Sequence, residues 1–256
     1  MKISNEKSSL YLPFLTSKEI EKAIETIPAI FQPVGSYEPI GLDTPICLIQ
    51  DCTESMASVI AEKCNILQAP ILPFSYSIPY RAFPGGLGLK SSVIESSITN
   101  LIKEYSYWGI KNIFIFDGSY DSFTILERAV KRFKKHRKNI TVILFNWQDE
   151  NIFNSTYKLK FDGEELGRKE YGLLSMAAYL HPFTVSKVII NKKKSFCDLN
   201  VYKRWKKCGH DPEKFRKLFP DCSTSNFNIP IDKKTGKKLF EDITDYYEKK
   251  ILSIIR

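Results

Sequence analysis

The stretch FQPVGSYEPIGLDTPICLIQD, residues 31–51, places a predicted strand directly before a loop rich in polar groups. The apolar run Ala29 to Val34 ends at Gly35, which predicts a buried parallel strand that stops at a turn. Ligands of open α/β sheets bind at the carboxyl ends of the strands. We therefore expect Glu38, just beyond this strand, to lie at a ligand site.

Apolar runs and amphipathic helices alternate along the rest of the chain. Thr16 and Glu19 have the spacing of a capping box at the start of the first helix. The predicted strands are Ala29–Val34, Pro70–Phe74, Ile113–Phe116 and Ile140–Phe145, with a strand or buried loop at Val185–Ile190. The predicted helices are Lys18–Ile27, Thr53–Lys63, Ser92–Trp108, Phe123–Lys135, Leu173–Leu180 and Lys237–Ile255. This order predicts a three-layer α/β fold, with a mostly parallel sheet and helices on both faces.

The length of 256 residues suits one α/β domain, and we expect residues 1–256 to form it. Residues 191–230 combine Lys/Arg clusters, three cysteines and three prolines with weak periodicity, which predicts an insertion with short helices. No apolar run reaches the roughly 18 residues of a membrane span, and the N-terminus lacks the apolar core of a signal peptide. We expect a cytoplasmic protein without a membrane partner.

The formal net charge of +9 raises the question of a nucleic-acid partner. Much of this charge is clustered in runs such as Lys131–Lys138 and Lys203–Lys207, which we interpret as solvated faces or helix ends. Nucleic acid and an anionic substrate or partner are the alternatives. Because no nucleic-acid motif accompanies the runs, we do not expect a nucleic-acid partner.

Several motifs resemble those of the creatininase (creatinine amidohydrolase) family. PVGSYEPIGLDTP, from Pro33, resembles the family signature PVGSxEQHGxHLP, and FPGGLGL, from Phe83, resembles FPGTISL. IKNIFIFDGSYDS resembles the strand that runs into NGHGGN, while SMAAYLHP and TGKKLFEDI resemble later segments of the family. The resemblance implies the creatininase fold, hydrolysis of C–N bonds in small cyclic or linear amides, a pair of divalent metals and a homo-oligomer.

The resemblance also shows where this chain departs from the family pattern. Glu38 keeps a glutamate ligand, and Asp121 stands where metal-binding members have glutamate. Five positions where the family has histidine hold other residues here: Ile40, Asp43, Tyr80, Ser119 and, roughly aligned with the histidine of a HAGE segment, Arg168. Ile49 stands where the family has an aspartate. A dinuclear site needs several convergent ligands for each metal. We therefore expect no cofactor, with at most a weakly bound hard cation at Glu38 and Asp121.

The candidate site residues follow from this frame. We expect Glu38 and Asp121 to form an acid/base pair in one pocket, with helix capping or acceptance of backbone N–H bonds as the alternative. Tyr80 and Ser119 are expected to donate hydrogen bonds to the reacting carbonyl. The candidate substrate-binding residues are Arg168, Asp43 and Asp117, and Asp117 has a structural alternative because it precedes Gly118 at a turn.

Three functions remain open for a chain with these features. The preferred one is an enzyme that acts on an amide or related C–N bond of a small polar substrate, anionic if Arg168 binds it, without the family's dinuclear metal site. The second is a non-catalytic binding or scaffold subunit. The third is a metal-dependent amidohydrolase that uses substitute ligands such as Asp43, Asp51 and Asp117.

Overall fold

The computed structural model describes residues 9–119, 121–134, 139–148, 168–182, 200, 203–204, 211–223 and 231–255. The strands are β1 (Ala29–Val34), β2 (Leu67–Gln68), β3 (Asn112–Asp117) and β4 (Thr141–Asn146). The α-helices are α1 (Ser17–Thr26), α2 (Leu48–Cys64), α3 (Ser91–Tyr107), α4 (Phe123–Lys134), α5 (Arg168–Leu180), α6 (Pro212–Leu218) and α7 (Lys233–Ile255).

The strands described here form a parallel sheet in the order β2-β1-β3-β4. β1 and β3 pair over their full lengths, with Ala29 opposite Asn112 and Val34 opposite Asp117. The chain leaves β1 to form β2 on one side and then crosses to β3 on the other. The carboxyl ends of β1 and β3 therefore flank the point where the strand order reverses, which is where open α/β sheets form a crevice.

Helices cover both faces of this sheet, as a three-layer fold requires. Ile113 and Ile115 of β3 pack into a core cluster that includes residues of α1, α3 and α4. Phe114 and Phe116 point to the opposite face, into a cluster that includes residues of α2, α5 and α7. Since successive strand residues face opposite sides, both core faces come from one apolar run. The predicted α/β architecture is confirmed.

Several predicted boundaries were wrong, including the starts of α5 at Arg168 instead of Leu173 and of α7 at Lys233 instead of Lys237. The strand expected at Pro70–Phe74 is instead Leu67–Gln68, followed by an isolated bridge between Val34 and Leu72. Proline has no N–H to donate to a strand ladder, so Pro70 and Pro73 limit pairing in that stretch. Helix α2 begins at Leu48, five residues before the predicted start, which places Ile49 on its buried side.

The first helix forms as its sequence predicts. The side chain of Thr16 accepts a hydrogen bond from the backbone N–H of Glu19, and the Glu19 carboxylate accepts one from the backbone N–H of Thr16. This reciprocal pair satisfies backbone donors that have no partner inside the helix. α1 accordingly starts at Ser17.

Within the predicted insertion, the structure describes α6 and the residues around it. The side chain of Asp211 caps α6 by accepting from the backbone N–H groups of Glu213 and Lys214. The predicted element at Val185–Ile190 lies outside the described residues. Among the helices that the structure describes, none has the length and apolar character of a membrane span.

Candidate functional site

The site lies at the carboxyl edge of the sheet, between the loops that follow β1 and β3. Glu38 comes four residues after the end of β1, and Ser119 comes two residues after the end of β3. A hydrogen bond of 3.0 Å from Ser119 Oγ to Glu38 Oε1 joins the two loops. The strand reversal thus brings together side chains that are 81 residues apart in sequence.

Glu38 is held by serine hydroxyls. It is 5% exposed, and its Oε1 accepts from Ser36 Oγ at 2.6 Å and from Ser77 Oγ at 2.5 Å, in addition to Ser119. Burial raises the pKa of Glu38 to about 7, and the negative charge of Asp121 contributes to the rise. The three hydroxyl donors oppose the rise because they stabilise the ionised form. The carboxyl group therefore exchanges its proton near neutral pH.

Asp117, at the last position of β3, is fully buried in a different network. Its carboxyl accepts from the backbone N–H of Ser119, from Ser122 Oγ at 2.7 Å and from Asn146 Nδ2 at 3.0 Å. Burial raises its pKa to about 8, while these donors act in the opposite direction. The network fixes the chain as it leaves β3 and joins it to the end of β4.

The hydroxyl of Tyr80 lies in a negatively charged environment. Its pKa is raised well above the usual value by burial and then by the charges of Glu38, Asp121 and Glu170. The Tyr80 ring packs edge-on against Phe215 of α6, with ring centroids 5.1 Å apart. Carboxyl groups from three separate segments thus act on one phenol.

Glu170 is a site residue that the sequence reasoning missed. It lies in the first turn of α5 and accepts a hydrogen bond of 2.8 Å from Ser223 Oγ. One signal was available, since the family's HAGE segment ends in a glutamate and aligns only roughly at Arg168. A shift of one residue in that alignment points to Glu170.

The segment after α6 closes one wall of the site. The backbone N–H of Gly41 donates to the carbonyl of Cys222 at 2.8 Å, and the Cys222 thiol donates to the carbonyl of Pro39 at 3.2 Å. Cys222 has a φ of +57°, a left-handed conformation that is uncommon for residues with a side chain. These bonds fasten the loop that carries Glu38 to the described end of the predicted insertion.

The remaining predicted residues lie in varied places. Asp43 is exposed on the loop after β1, and Arg168 begins α5, but its side chain lies outside the described residues. Asp51 accepts from the Cys47 thiol at 3.3 Å in the first turn of α2. Asp43, Asp51 and Asp117 do not form a ligand cluster, because no group of three His, Cys, Asp or Glu side chains in the described ranges could hold an ion.

Ile40 and Ile49 belong to the hydrophobic core. They are 4% and 3% exposed and join the cluster between the sheet and helices α2, α5 and α7. By the sequence resemblance, these positions hold a histidine and an aspartate in the family. Here they contribute apolar packing below the loop of Glu38.

The fold is that of solved creatininases. A mutant creatininase described as the Zn-Zn type matches with a TM-score of 0.78 at 17% identity, covering 98% of this chain and 99% of that one. A creatinine amidohydrolase (creatininase) matches at 0.77 and 16%, covering 96% and 98%. A creatininase described with Mn matches at 0.78 and 16%, covering 97% and 99%. No curated protein matches the chain in sequence.

The expectation of no cofactor was wrong for this family. The solved creatininases include Zn-Zn and Mn forms, so the family implies a divalent metal. The described side chains do not fit such a centre, because no group of three His, Cys, Asp or Glu side chains among them could hold a metal ion, and Ile40 and Ile49 supply no donor atoms. No step below is routed through a metal.

Family membership rests on the sequence as well as on the fold. The family model described as "Creatininase: Creatinine amidohydrolase" matches residues 13–251, which is most of the chain. The matched range includes the Glu38 loop, the end of β3 and most of α7. The chain therefore belongs to the creatininase family.

Proposed function

We propose that this protein hydrolyses an amide or related C–N bond of a small polar substrate, with Glu38 as the group that moves the proton. The observation that carries the proposal is a buried carboxyl at the strand reversal, with a pKa of about 7. A base or acid is most useful when its pKa is close to the working pH. The amidohydrolase class is that of the family.

In the proposed mechanism, ionised Glu38 takes a proton from a water molecule as the water oxygen bonds to the carbonyl carbon. The carbonyl electron pair moves to the oxygen and forms an oxyanion. Tyr80 and Ser119 donate hydrogen bonds to that oxygen. The C–N bond then breaks, and protonated Glu38 returns its proton to the leaving nitrogen, giving an acid and an amine.

Ser119 is the donor best suited to change acceptors during such a reaction. Its bond to Glu38 is 3.0 Å, whereas the bonds from Ser36 and Ser77 are 2.6 and 2.5 Å. The longest of three hydrogen bonds to one oxygen is the weakest. Exchange of that bond for one to a substrate oxygen leaves Glu38 held by the other two serines.

The charges near Tyr80 bear on the choice of substrate. Glu38, Asp121 and Glu170 all raise the pKa of Tyr80 by their negative charge, and they would repel a substrate that brings an anionic group of its own. The oxyanion adds no net charge to the site, because Glu38 becomes neutral as it takes the proton from water. A neutral polar amide is therefore the first choice. The anionic alternative depends on a counter-charge from Arg168.

The test is hydrolysis of creatinine and a panel of small cyclic and linear amides, followed by NMR of the products. Because the family implies a divalent metal, each substrate is tested with added Zn²⁺, with added Mn²⁺ and after chelation. Glu38→Gln keeps the shape of the side chain but removes its base. We expect turnover to fall by about 100-fold or more, with KM little changed. Equal turnover in the wild type and Glu38→Gln would contradict the assigned role.

A non-catalytic binding subunit is the second candidate. The packing of Ile40 and Ile49 into the core favours it, because by the sequence resemblance these positions hold metal ligands in the family and here they supply only apolar contacts. This alternative predicts that calorimetry detects binding of a small amide while NMR detects no product under any metal condition. Turnover that depends on Glu38 would exclude it.

A further inference from the structure

Three separate segments place a serine hydroxyl on the same oxygen of Glu38. Ser36 follows β1, Ser77 belongs to the loop before Pro79–Ala82, and Ser119 follows β3. All three serines are fully buried. Among the described residues, no hydrogen-bond donor contacts Oε2 of Glu38. The two oxygens of the carboxyl group therefore have different surroundings.

The Ser77 hydroxyl is held in place from several sides. Ser75 Oγ lies 3.2 Å from it and can donate a hydrogen bond to it, and Ser36 Oγ lies 2.6 Å from it. Because Ser36 and Ser77 each give their single hydroxyl proton to Glu38, the Ser36 contact is close packing and not a third hydrogen bond. A Cβ atom at Gly88 would lie 2.6 Å from the carbonyl carbon of Ser77, so the glycine allows close backbone contact there. A serine side chain has one carbon between the backbone and its oxygen, and its position follows closely from that of the backbone.

A glutamate, in contrast, has several rotatable bonds, and ordering it costs side-chain entropy. Catalytic groups must keep their productive geometry within about 0.5 Å, which requires support from neighbouring residues. Two short hydrogen bonds to one carboxyl oxygen limit rotation of the carboxyl group about its last bond. The second oxygen is then presented in a constant direction.

We propose that Ser36 and Ser77 are positioning residues, which hold Oε1 of Glu38 and thereby present Oε2 to the substrate. This inference rests on the proposed function, since it assumes that Glu38 is the group that reacts. Neither Ser36 nor Ser77 was among the site residues predicted from the sequence. Ser119 differs from them because it also serves as a donor to the substrate.

The first test needs no substrate. Infrared double-difference spectra at pH 9, in which each serine variant is compared with and without Glu38→Gln, isolate the stretching bands of ionised Glu38. Donors on one oxygen make the two C–O bonds unequal, which separates the antisymmetric and symmetric bands. We expect Ser77→Ala to reduce that separation and Ser77→Thr, which keeps the hydroxyl, to restore it.

Ser175→Ala is the matched control. Ser175 is also fully buried, but its oxygen accepts from the backbone N–H of Asp232 instead of contacting Glu38. The control should leave the Glu38 bands unchanged. An unchanged separation in both Ser77→Ala and Ser36→Ala would overturn the proposal, whatever the outcome of the activity screen.

The second test uses any substrate that the screen identifies. We expect Ser77→Ala to lower kcat by about tenfold with KM little changed, which is less than the roughly 100-fold that a 1 Å misplacement can cost. Ser77→Thr should recover most of that loss. A shifted infrared band with wild-type kcat would mean that Ser77 binds Glu38 without positioning it for reaction. If no substrate is found, the spectra still decide whether the serines hold the carboxyl group.

Discussion

At the residue scale, the proposed role of Glu38 depends on how its surroundings control its proton. Burial and the charge of Asp121 raise the pKa to about 7, so the ionised base forms as the pH rises through neutrality. We expect kcat/KM to increase between about pH 6 and 8. The substitution Asp121→Asn removes a negative charge that raises the pKa of Glu38, so the midpoint of the kcat/KM profile should shift to lower pH.

The measurement is a pH–rate profile of the wild type and the variant on the same substrate. Asp51→Asn provides a control. This aspartate lies in α2, whereas the pKa of Glu38 is shifted by burial, by the charge of Asp121 and by three serine hydroxyls. A midpoint that rises or stays constant in Asp121→Asn would argue against electrostatic coupling between the two carboxyl groups.

Asp117 gives a prediction about stability. Its pKa is raised from 3.8 to about 8 in the folded protein, mainly by burial, so the folded state holds a proton that the unfolded chain releases. This group's stabilising contribution is present below about pH 4 and is lost as the pH rises to about 8. We expect the free energy of unfolding of Asp117→Asn to depend less on pH over that window.

Urea unfolding at pH 5, 6.5 and 8 measures the difference between the two proteins. The variant removes the titrating group, while Glu38 and the other carboxyl groups titrate in both. A pH dependence as steep in Asp117→Asn as in the wild type would contradict the raised pKa.

At the element scale, Gly118 sets the distance between the end of β3 and helix α2. A Cβ atom at this position would lie 2.1 Å from Thr53 Oγ1, which is far too close. Thr53 Oγ1 in turn accepts from Trp147 Nε1 at 3.2 Å. We expect Gly118→Ala to lower the free energy of unfolding by about 1–3 kcal/mol through overpacking.

A double-mutant cycle with Thr53→Ala identifies the source of that cost. The second substitution removes the clashing oxygen, so the two changes together should cost less than the sum of their separate costs. Chemical denaturation of the four proteins gives the coupling energy. Additive costs would show that the contact between Gly118 and Thr53 is not the cause.

The segment after α6 is a second element that influences the site from a distance. The Cys222 thiol and carbonyl bond the loop that carries Glu38, and Ser223 bonds Glu170. Phe215 and Phe219 pack in a small cluster with Phe83 and Cys222. Part of the predicted insertion therefore holds the loop of Glu38 and the side chain of Glu170, although its composition alone gave no indication of that role.

At the scale of the whole molecule, we propose that residues 1–256 form one cooperative domain and that the protein is a homo-oligomer. One sheet shares its two core clusters with helices from both ends of the chain, α1 and α7, which favours a single unfolding unit. We expect one calorimetric transition, and two separated transitions would count against one domain.

The oligomer is tested separately. Light scattering at moderate salt should give a mass that is at least twice the 29.5 kDa of one chain. A monomer mass would count against the oligomer.

The pattern of apolar residues by itself predicts the layers of this fold. Ile113 to Phe116 are consecutive apolar residues, and such a run suits a strand buried on both faces. The capping box of Thr16 and Glu19 located the start of α1. These features depend on residues close in sequence. The strand predicted at 70–74 was wrong because two prolines interrupt the hydrogen-bonding ladder in an otherwise apolar stretch.

The sequence by itself thus determined the α/β class, the family frame and the position of Glu38 beyond a strand end. Only the tertiary structure decided what surrounds that carboxyl group. Ser36, Ser77 and Ser119 converge on one oxygen from three loops, while the charge of Glu170, from α5, acts on the nearby Tyr80. The family resemblance predicted Ser119 at the site, but nothing in the spacing of Ser36 and Ser77 in the sequence indicates that they contact the same carboxyl group. The environment of Glu38 arises from contacts across the strand reversal, which local residue patterns do not encode.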